Sequence, residues 1–142
     1  MLTISDFNDI LVAFNTILVN HINFSVLHNY VRNSNLGKYI FLSLGHGDET
    51  WDLTVCYDAF YQVPVLFFLV NGQLDARENS MVEIHPILQT PYQMVHPCET
   101  SDIMNSLGKL GLEYLISWFG IHIGAVLDEI ELRVNSIDNI NE

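Results

Sequence analysis

Cys98 is the residue in this sequence that is best placed for covalent chemistry. It follows the pair His96 and Pro97, it ends a loop punctuated by prolines, and an apolar stretch with helical spacing begins just beyond it. This order predicts a thiol at the start of a helix, where backbone N–H groups favour the thiolate. A thiolate in that place can attack an ester or thioester carbonyl and carry the acyl group. We therefore take Cys98 as the candidate nucleophile of a transfer enzyme; the alternative is an inert, buried cysteine.

The charges around Cys98 indicate which kind of nucleophile it can be. Glu99 and a net charge of -12 oppose the thiolate, so we do not expect a strongly activated thiol. A carrier thiol needs no strong activation, because it receives its acyl group by exchange from another thioester. His96 can orient the loop through hydrogen bonds or act as a base. Because Pro97 lies between His96 and Cys98 and restricts the backbone, we favour the orienting role.

Other kinds of catalytic site find little support in the sequence. Cys56 shares one strand face with Asp52, Thr54 and Asp58, and no local feature activates it, so we interpret it as structural. The six histidines and two cysteines show no Cys-x-x-Cys or His-x-x-x-His spacing. Residues 45–47 lack the longer glycine fingerprint of a phosphate-binding loop, and no protease-specific signature surrounds Cys98. We expect no metal and no cofactor.

Composition limits the class of protein and its partners. The chain has 142 residues, 49% of them hydrophobic, which predicts a single folded domain over residues 1–142. Five Lys and Arg stand against 17 Asp and Glu, so nucleic acid and anionic membranes are poor partners and a basic protein surface is a better one. The alternative is that the negative charge only aids solubility.

The longest apolar run, residues 63–70, is far below the ~20 residues that span a bilayer, so we expect no stable membrane insertion. With no secretory signal and two cysteines, a cytoplasmic location follows as an expectation.

Hydrophobic patterns predict the elements that position the loop before Cys98. Apolar residues recur at helical spacing from Phe7 to Leu18, behind a Ser5 cap, and this helix should end within residues 20–23. Strand-like segments follow at residues 24–31, 38–44, 51–59 and 65–70. The pattern predicts an α+β fold in which an N-terminal helix precedes a meander of about four antiparallel strands.

The second half of the chain begins with a long stretch of few regular signals, residues 71–100, which contains three prolines. A structureless stretch of this length inside a compact domain is usually functional. Thr100 or Ser101 can then cap a second helical region, and a further apolar element spans residues 123–134. We expect the polar tail of residues 135–142 to fray.

Two linked motifs resemble the autophagy E2-like conjugating enzymes. Residues 51–64, WDLTVCYDAFYQVP, are similar to the strand–turn–strand motif of that family, written YDLxIxYDxxYxxP. The pair His85 and Pro86, followed by His96, Pro97 and Cys98, resembles its catalytic loop. With their spacing, these motifs cover roughly residues 38–120. The resemblance implies the ubiquitin-conjugating (E2) fold, with a long catalytic loop and C-terminal helices.

The resemblance also implies an activity and partners. Cys98 would form a thioester with a ubiquitin-like modifier, autophagy-related protein twelve, after charging by the E1-like autophagy-related protein seven. The acceptor would be a lysine of autophagy-related protein five. A lipid-conjugating branch of the family acts on phosphatidylethanolamine and usually carries a membrane helix, an acidic insertion and a handle region, for which we expect no room in 142 residues. The short chain looks more like a yeast-type member of the protein-conjugating branch.

The oxyanion-stabilising group is the open part of this comparison. Conventional E2 enzymes use an asparagine from a His-Pro-Asn motif, which this chain lacks. Asn79, before His85, is the best substitute, because a neutral amide can donate to an oxyanion; its alternative is a turn residue in an Asn-Ser pair. Tyr39 is a weaker candidate for a neighbouring site residue.

Two other functions remain compatible with these motifs. One is the lipid-conjugating activity, and the other is a non-catalytic binding module of the RWD type, which shares the meander and a Tyr/Pro turn. An exposed Cys98 after His-Pro distinguishes the enzyme from the binding module, which needs no such thiol.

Overall fold

The elements follow one another in an α-β-α order. A computed structural model describes residues 2–133 of the chain. Its elements are α1 (Ile4–His21), β1 (Ser25–Ser34), β2 (Gly37–His46), β3 (Glu49–Asp58), β4 (Val63–Val70), β5 (Met81–Ile84), β6 (Pro91–Met94), a 3₁₀ turn (Pro97–Glu99), α2 (Thr100–Leu107) and α3 (Gly111–Val126). The predicted tail of residues 135–142 lies outside the described residues.

The strands form one antiparallel sheet in the order β1-β2-β3-β4-β6-β5. Strands β1 to β4 each pair with the next, and they are the meander that the sequence predicts. The α+β class, with its N-terminal helix and C-terminal helices, is confirmed. Within residues 2–133, no helix is both long and apolar enough to cross a membrane.

The stretch of residues 71–100 is more regular than the sequence suggests. Strands β5 and β6 form a hairpin inside it, and β6 also pairs with β4 at Phe67 and Phe68. All four residues of β5 are exposed, and β6 begins at a proline. Neither strand therefore carries the inside–outside alternation by which half-buried strands are recognised. The hairpin lies directly before the 3₁₀ turn, so it determines where the turn that contains Cys98 begins.

Helices α1 and α3 share the core beneath one face of the sheet. Inward side chains alternate along the strands, and those of Ile40, Leu42 and Leu44 are at most 1% exposed. Phe14 of α1 meets Phe119 of α3 edge-on, with ring centroids 6.0 Å apart. Burying one such side chain stabilises the fold by roughly 1.5–3 kcal/mol. This packing holds α3 in place beside the loop that carries Cys98.

The opposite face of the sheet carries a smaller cluster, here called the outer cluster. Its buried members are Tyr39, Cys56, Val65, Phe67, Tyr92 and Met94. Ile87 and Leu88, in the turn between β5 and β6, pack against it. The hairpin therefore gains its own hydrophobic support, which its exposed strand β5 does not provide.

Two helix starts differ from the predicted ones. Thr3, not Ser5, caps α1, because the helix already begins at Ile4; the Thr3 hydroxyl oxygen accepts a hydrogen bond from the Asp6 N–H at 3.1 Å. For α2, Glu99 occupies the cap position without a side-chain cap bond, and Thr100 is the first helical residue. The Thr100 hydroxyl is engaged elsewhere, in a contact that belongs to the Cys98 cavity.

Candidate functional site

Cys98 is an exposed free thiol in the 3₁₀ turn that leads directly into α2. The turn is held by the preceding histidine: the Cys98 N–H donates to Nδ1 of His96 at 3.1 Å. The imidazole therefore contacts the cysteine backbone. This geometry fits the orienting role that the sequence favours for His96. It presents the thiol at the tip of the turn, open to a second protein.

The earlier His-Pro pair uses the same hydrogen-bond pattern. Nδ1 of His85 accepts from the N–H groups of Ile87 at 3.1 Å and Leu88 at 3.0 Å. In both pairs, the ring accepts from the backbone N–H two residues further on, as an Asx turn does with a carboxyl or amide oxygen. The proline after each histidine restricts the backbone at the start of the turn.

His85 differs from His96 in being completely buried. Because its Nδ1 accepts two hydrogen bonds, its proton lies on Nε2, which is 2.8 Å from the Thr54 hydroxyl oxygen and donates to it. Burial lowers the pKa of His85 to about 4, so the ring is neutral near pH 7. It ties the β5–β6 turn to β3.

A cavity of about 370 Å³ lies beside Cys98. Its lining residues are Asn79, Val95, His96, Cys98, Glu99, Thr100, Ile103, Ile121, His122 and Ala125. Three of the four candidate residues from the sequence, Cys98, Asn79 and His96, thus meet at one site. The lining is largely apolar and carries Glu99 as its carboxylate, so an amine that approaches the cysteine meets a neutral to acidic wall.

Asn79 is both a turn residue and a residue of the cavity. The Ser80 N–H donates to the Arg77 carbonyl at 3.1 Å, which closes a turn with Asn79 at its third position. The φ angle of Asn79 is +69°, in the left-handed region where glycine and asparagine are favoured in such turns. Its side chain is exposed. The two interpretations of Asn79 are therefore compatible.

Tyr39 lies apart from this cavity. Its side chain belongs to the outer cluster and is 5% exposed. Its ring contacts the ring of Tyr30, with the two centroids 6.0 Å apart. Tyr39 and Cys56 belong to the same cluster, on the face of the sheet away from the core helices. Cys56 is itself 1% exposed, and burial raises the pKa of its thiol to about 12. Tyr39 is not brought together with Cys98, and a site role for it stays a prediction.

His122 and Thr100 both line the cavity, and their side chains share a hydrogen bond that the sequence does not predict. Nδ1 of His122 donates to the Trp118 carbonyl at 2.8 Å, so Nε2 accepts from the Thr100 hydroxyl at 3.1 Å. Both side chains are buried, and burial lowers the pKa of His122. The bond links α3 to the first turn of α2, next to Cys98. A lone histidine in an apolar helix offers no signal by which sequence spacing could find this contact.

Metal ions in proteins are held by groups of His, Cys and carboxylate side chains that lie close together. Across residues 2–133, no three His, Cys, Asp or Glu side chains are placed to hold an ion together. The groups that the site does present are an exposed thiol, a neutral amide and an oriented backbone N–H.

Known proteins resemble both the sequence and the fold of this chain. The family described as autophagocytosis associated protein, active-site domain, matches residues 32–133. The ubiquitin-like-conjugating enzyme ATG10 of Candida albicans is 29% identical over 167 aligned positions, covering 95% of this chain and 93% of the relative. The human ubiquitin-like-conjugating enzyme ATG10 is 28% identical over 107 positions, covering 54% of this chain and 48% of the relative.

A solved structure agrees at the level of the fold. The solution structure of KmAtg10 superimposes with a TM-score of 0.62 at 16% identity, over 89% of this chain and 96% of that one. The family match over residues 32–133 includes every residue that lines the cavity, Asn79, His96, Cys98 and His122 among them. The chain therefore belongs to the autophagocytosis-associated family with an active-site domain, and it is an autophagy E2-like conjugating enzyme.

Proposed function

We propose that Cys98 receives the ubiquitin-like modifier autophagy-related protein twelve from the E1-like autophagy-related protein seven and passes it to a lysine of autophagy-related protein five. The observation that carries this proposal is the exposed Cys98, whose backbone N–H is held by His96 and which lines a cavity within the residues that match the active-site domain. The Candida albicans and human relatives are both ubiquitin-like-conjugating enzymes named ATG10, which supports the same branch of the family.

The first step is an exchange of thioesters. The Cys98 thiolate attacks the carbonyl carbon of the modifier thioester on the E1-like enzyme and forms a tetrahedral oxyanion. This intermediate collapses by breaking the bond to the E1 sulfur, which leaves as a thiolate. The acyl group has moved between two sulfurs, with no change in oxidation state. Exposure of the thiol is essential here, because the donor is a second protein.

The second step forms an amide bond. A neutral lysine amine attacks the Cys98 thioester carbonyl, the C–S bond breaks, and the amine proton passes to solvent while Cys98 regains its thiolate. Asn79 lines the same cavity and donates its side-chain N–H to the oxyanion of this step. His96 orients the turn through the Cys98 N–H. Positioning of the lysine amine and stabilisation of the oxyanion charge supply the rate in this proposal.

The direct test is thioester formation. The chain is incubated with autophagy-related protein seven, ATP and autophagy-related protein twelve, and the products are separated on non-reducing gels. We expect an adduct that thiol reductant removes, that Cys98→Ser converts into a reductant-resistant ester, and that the control Cys56→Ala retains. Absence of the adduct, with an E1-like enzyme shown to charge another carrier, would overturn the proposal.

The acceptor is tested by discharge of the purified thioester. Autophagy-related protein five should consume the thioester and gain a product that survives reductant, whereas vesicles containing phosphatidylethanolamine should not. The opposite result would assign the chain to the lipid-conjugating branch.

A further inference from the structure

Asn79 is held over the Cys98 cavity by a turn that is anchored at both ends. We propose that Arg77 and Glu129 are positioning residues that fix this turn against the end of α3, so that the Asn79 amide is aimed at the reacting carbonyl. The inference rests on the proposed oxyanion role of Asn79. The ion pair between Arg77 and Glu129 lies outside the cavity, and it affects the reaction only through the position of the turn that carries Asn79.

Arg77 makes the first anchor with a network of contacts. Its Nε donates to Oδ2 of Asp75 at 2.9 Å, and its Nη2 lies 2.9 Å from the same oxygen. Its Nη1 donates to Oε1 of Glu129 at 3.2 Å and to the Val126 carbonyl at 3.4 Å. Val126 is the last residue of α3, and Glu129 lies shortly after it. One guanidinium group thus joins the loop before Asn79 to the end of the helix.

Ser80 makes the second anchor, on the other side of Asn79. Its hydroxyl donates to the Arg77 carbonyl at 2.7 Å and accepts from the Arg77 N–H at 3.1 Å. The same oxygen accepts from Nε2 of Gln93 at 3.0 Å, and Gln93 is a buried residue of β6. The turn is therefore fastened to α3 through Arg77 and to the sheet through Ser80.

Helix α3 is also a wall of the cavity. Ile121, His122 and Ala125 line it from α3, while Asn79 lines it from the turn. The Arg77 network consequently sets the separation between two walls of the same site. An oxyanion donor acts only if it is held close to its productive position, and a displacement of about 1 Å can cost up to ~100-fold in rate. An anchor at the base of the turn is therefore expected to affect the transfer step and not the exposure of Cys98.

The test measures discharge of the Cys98 thioester to the acceptor, under single-turnover conditions, in Glu129→Gln. This change keeps the shape of the side chain and removes the charge that Arg77 pairs with. Glu131→Gln removes the same charge from the same segment and is not among the partners of Arg77, so it serves as the matched control. The third variant, Asn79→Gly, removes the amide but tolerates a φ of +69°.

We expect Glu129→Gln to slow discharge by roughly two- to fivefold, the size of effect that a partly exposed ion pair can have, and to leave thioester loading unchanged. Glu131→Gln should behave as the parent chain. In the Asn79→Gly background, Glu129→Gln should have no further effect, because the group that it positions is gone. A general loss of stability would slow both backgrounds equally, and that result would overturn the inference.

The remaining outcomes separate the inference from the function on which it rests. If Asn79→Gly slows discharge but Glu129→Gln matches its control, the positioning role is wrong and the proposed function stands. If Asn79→Gly discharges as fast as the parent chain, Asn79 stabilises no oxyanion and the positioning role fails with it. If Cys98 is never charged, both proposals fail.

Discussion

The two histidines that precede prolines act on the backbone, and this explains why the motif repeats. His85 and His96 each offer Nδ1 to an N–H two residues further on. At His85 the result is a buried turn under the outer cluster, whereas at His96 it is an exposed turn that displays a thiol. The same hydrogen-bond pattern therefore occurs once in a buried turn, where the ring also contacts Thr54, and once in an exposed turn that presents Cys98.

For His96, a backbone role makes a prediction that separates it from a chemical one. His96→Asn keeps an acceptor that can reach the Cys98 N–H, whereas His96→Ala removes it. Loss of one such hydrogen bond costs about 1 kcal/mol, or roughly fivefold if all of it appears in the rate. We expect slower thioester formation in His96→Ala and near-normal formation in His96→Asn, measured by quenched-flow charging. Equal loss in both variants would instead assign proton transfer to the imidazole.

For Asn79, the turn geometry determines which substitution is informative. Alanine at a φ of +69° would strain the turn as well as remove the amide, so Asn79→Gly isolates the chemical effect. Removal of an oxyanion donor costs about 100- to 1000-fold in the step it assists. We expect discharge to fall by that order while loading by the E1-like enzyme remains normal, as followed on non-reducing gels. An equal loss of loading and discharge would contradict the assignment.

The elements differ in how far the sequence reveals them, and the difference is physical. The first helix and the meander are predictable because their side chains repeat with the period of a buried face, as Ile40, Leu42 and Leu44 do. The hairpin of β5 and β6 is not, because its support comes from the outer cluster, far away in sequence. At the candidate site, motif predicts Cys98 and residue type predicts Asn79, whereas the bond between Thr100 and His122 depends on how α2 and α3 pack.

That bond joins the two helices next to the cavity, so its loss should be measurable as a change in stability. Thr100→Val keeps the shape of the side chain but leaves the buried Nε2 of His122 without its donor. An unsatisfied buried group costs about 1–3 kcal/mol in the free energy of unfolding. We expect a lower urea midpoint for Thr100→Val and a nearly unchanged one for Thr100→Ser, which keeps the hydroxyl. If both variants unfold at the midpoint of the parent chain, the bond contributes nothing to the junction of α2 and α3.

The whole molecule combines a strongly acidic surface with histidines that are buried in the neutral form. Its net charge is -12, with five Lys and Arg residues against 17 Asp and Glu, so the molecule attracts an approaching basic surface. Inside, His85 and His122 both have pKa values lowered by burial. Acidification therefore lowers the free energy of unfolding, because these two histidines bind protons more readily in the unfolded chain than in the folded one.

His85 makes this pH dependence specific enough to test on the whole molecule. The unfolded imidazole titrates near pH 6.5, while burial lowers the folded pKa of His85 to about 4. Between those values the unfolded state binds more protons, so the free energy of unfolding falls as the pH falls, by about 2 kcal/mol from this residue between pH 7.5 and pH 5. His85→Asn keeps an acceptor for the turn but cannot titrate. We expect urea unfolding of His85→Asn to show a shallower decline over that range than the parent chain, with His122 supplying part of what remains. The variant His28→Asn makes the same replacement at an exposed position and serves as the matched control. A His85→Asn chain that loses stability between pH 7.5 and pH 5 as steeply as the parent would show that His85 is not held neutral in the folded protein.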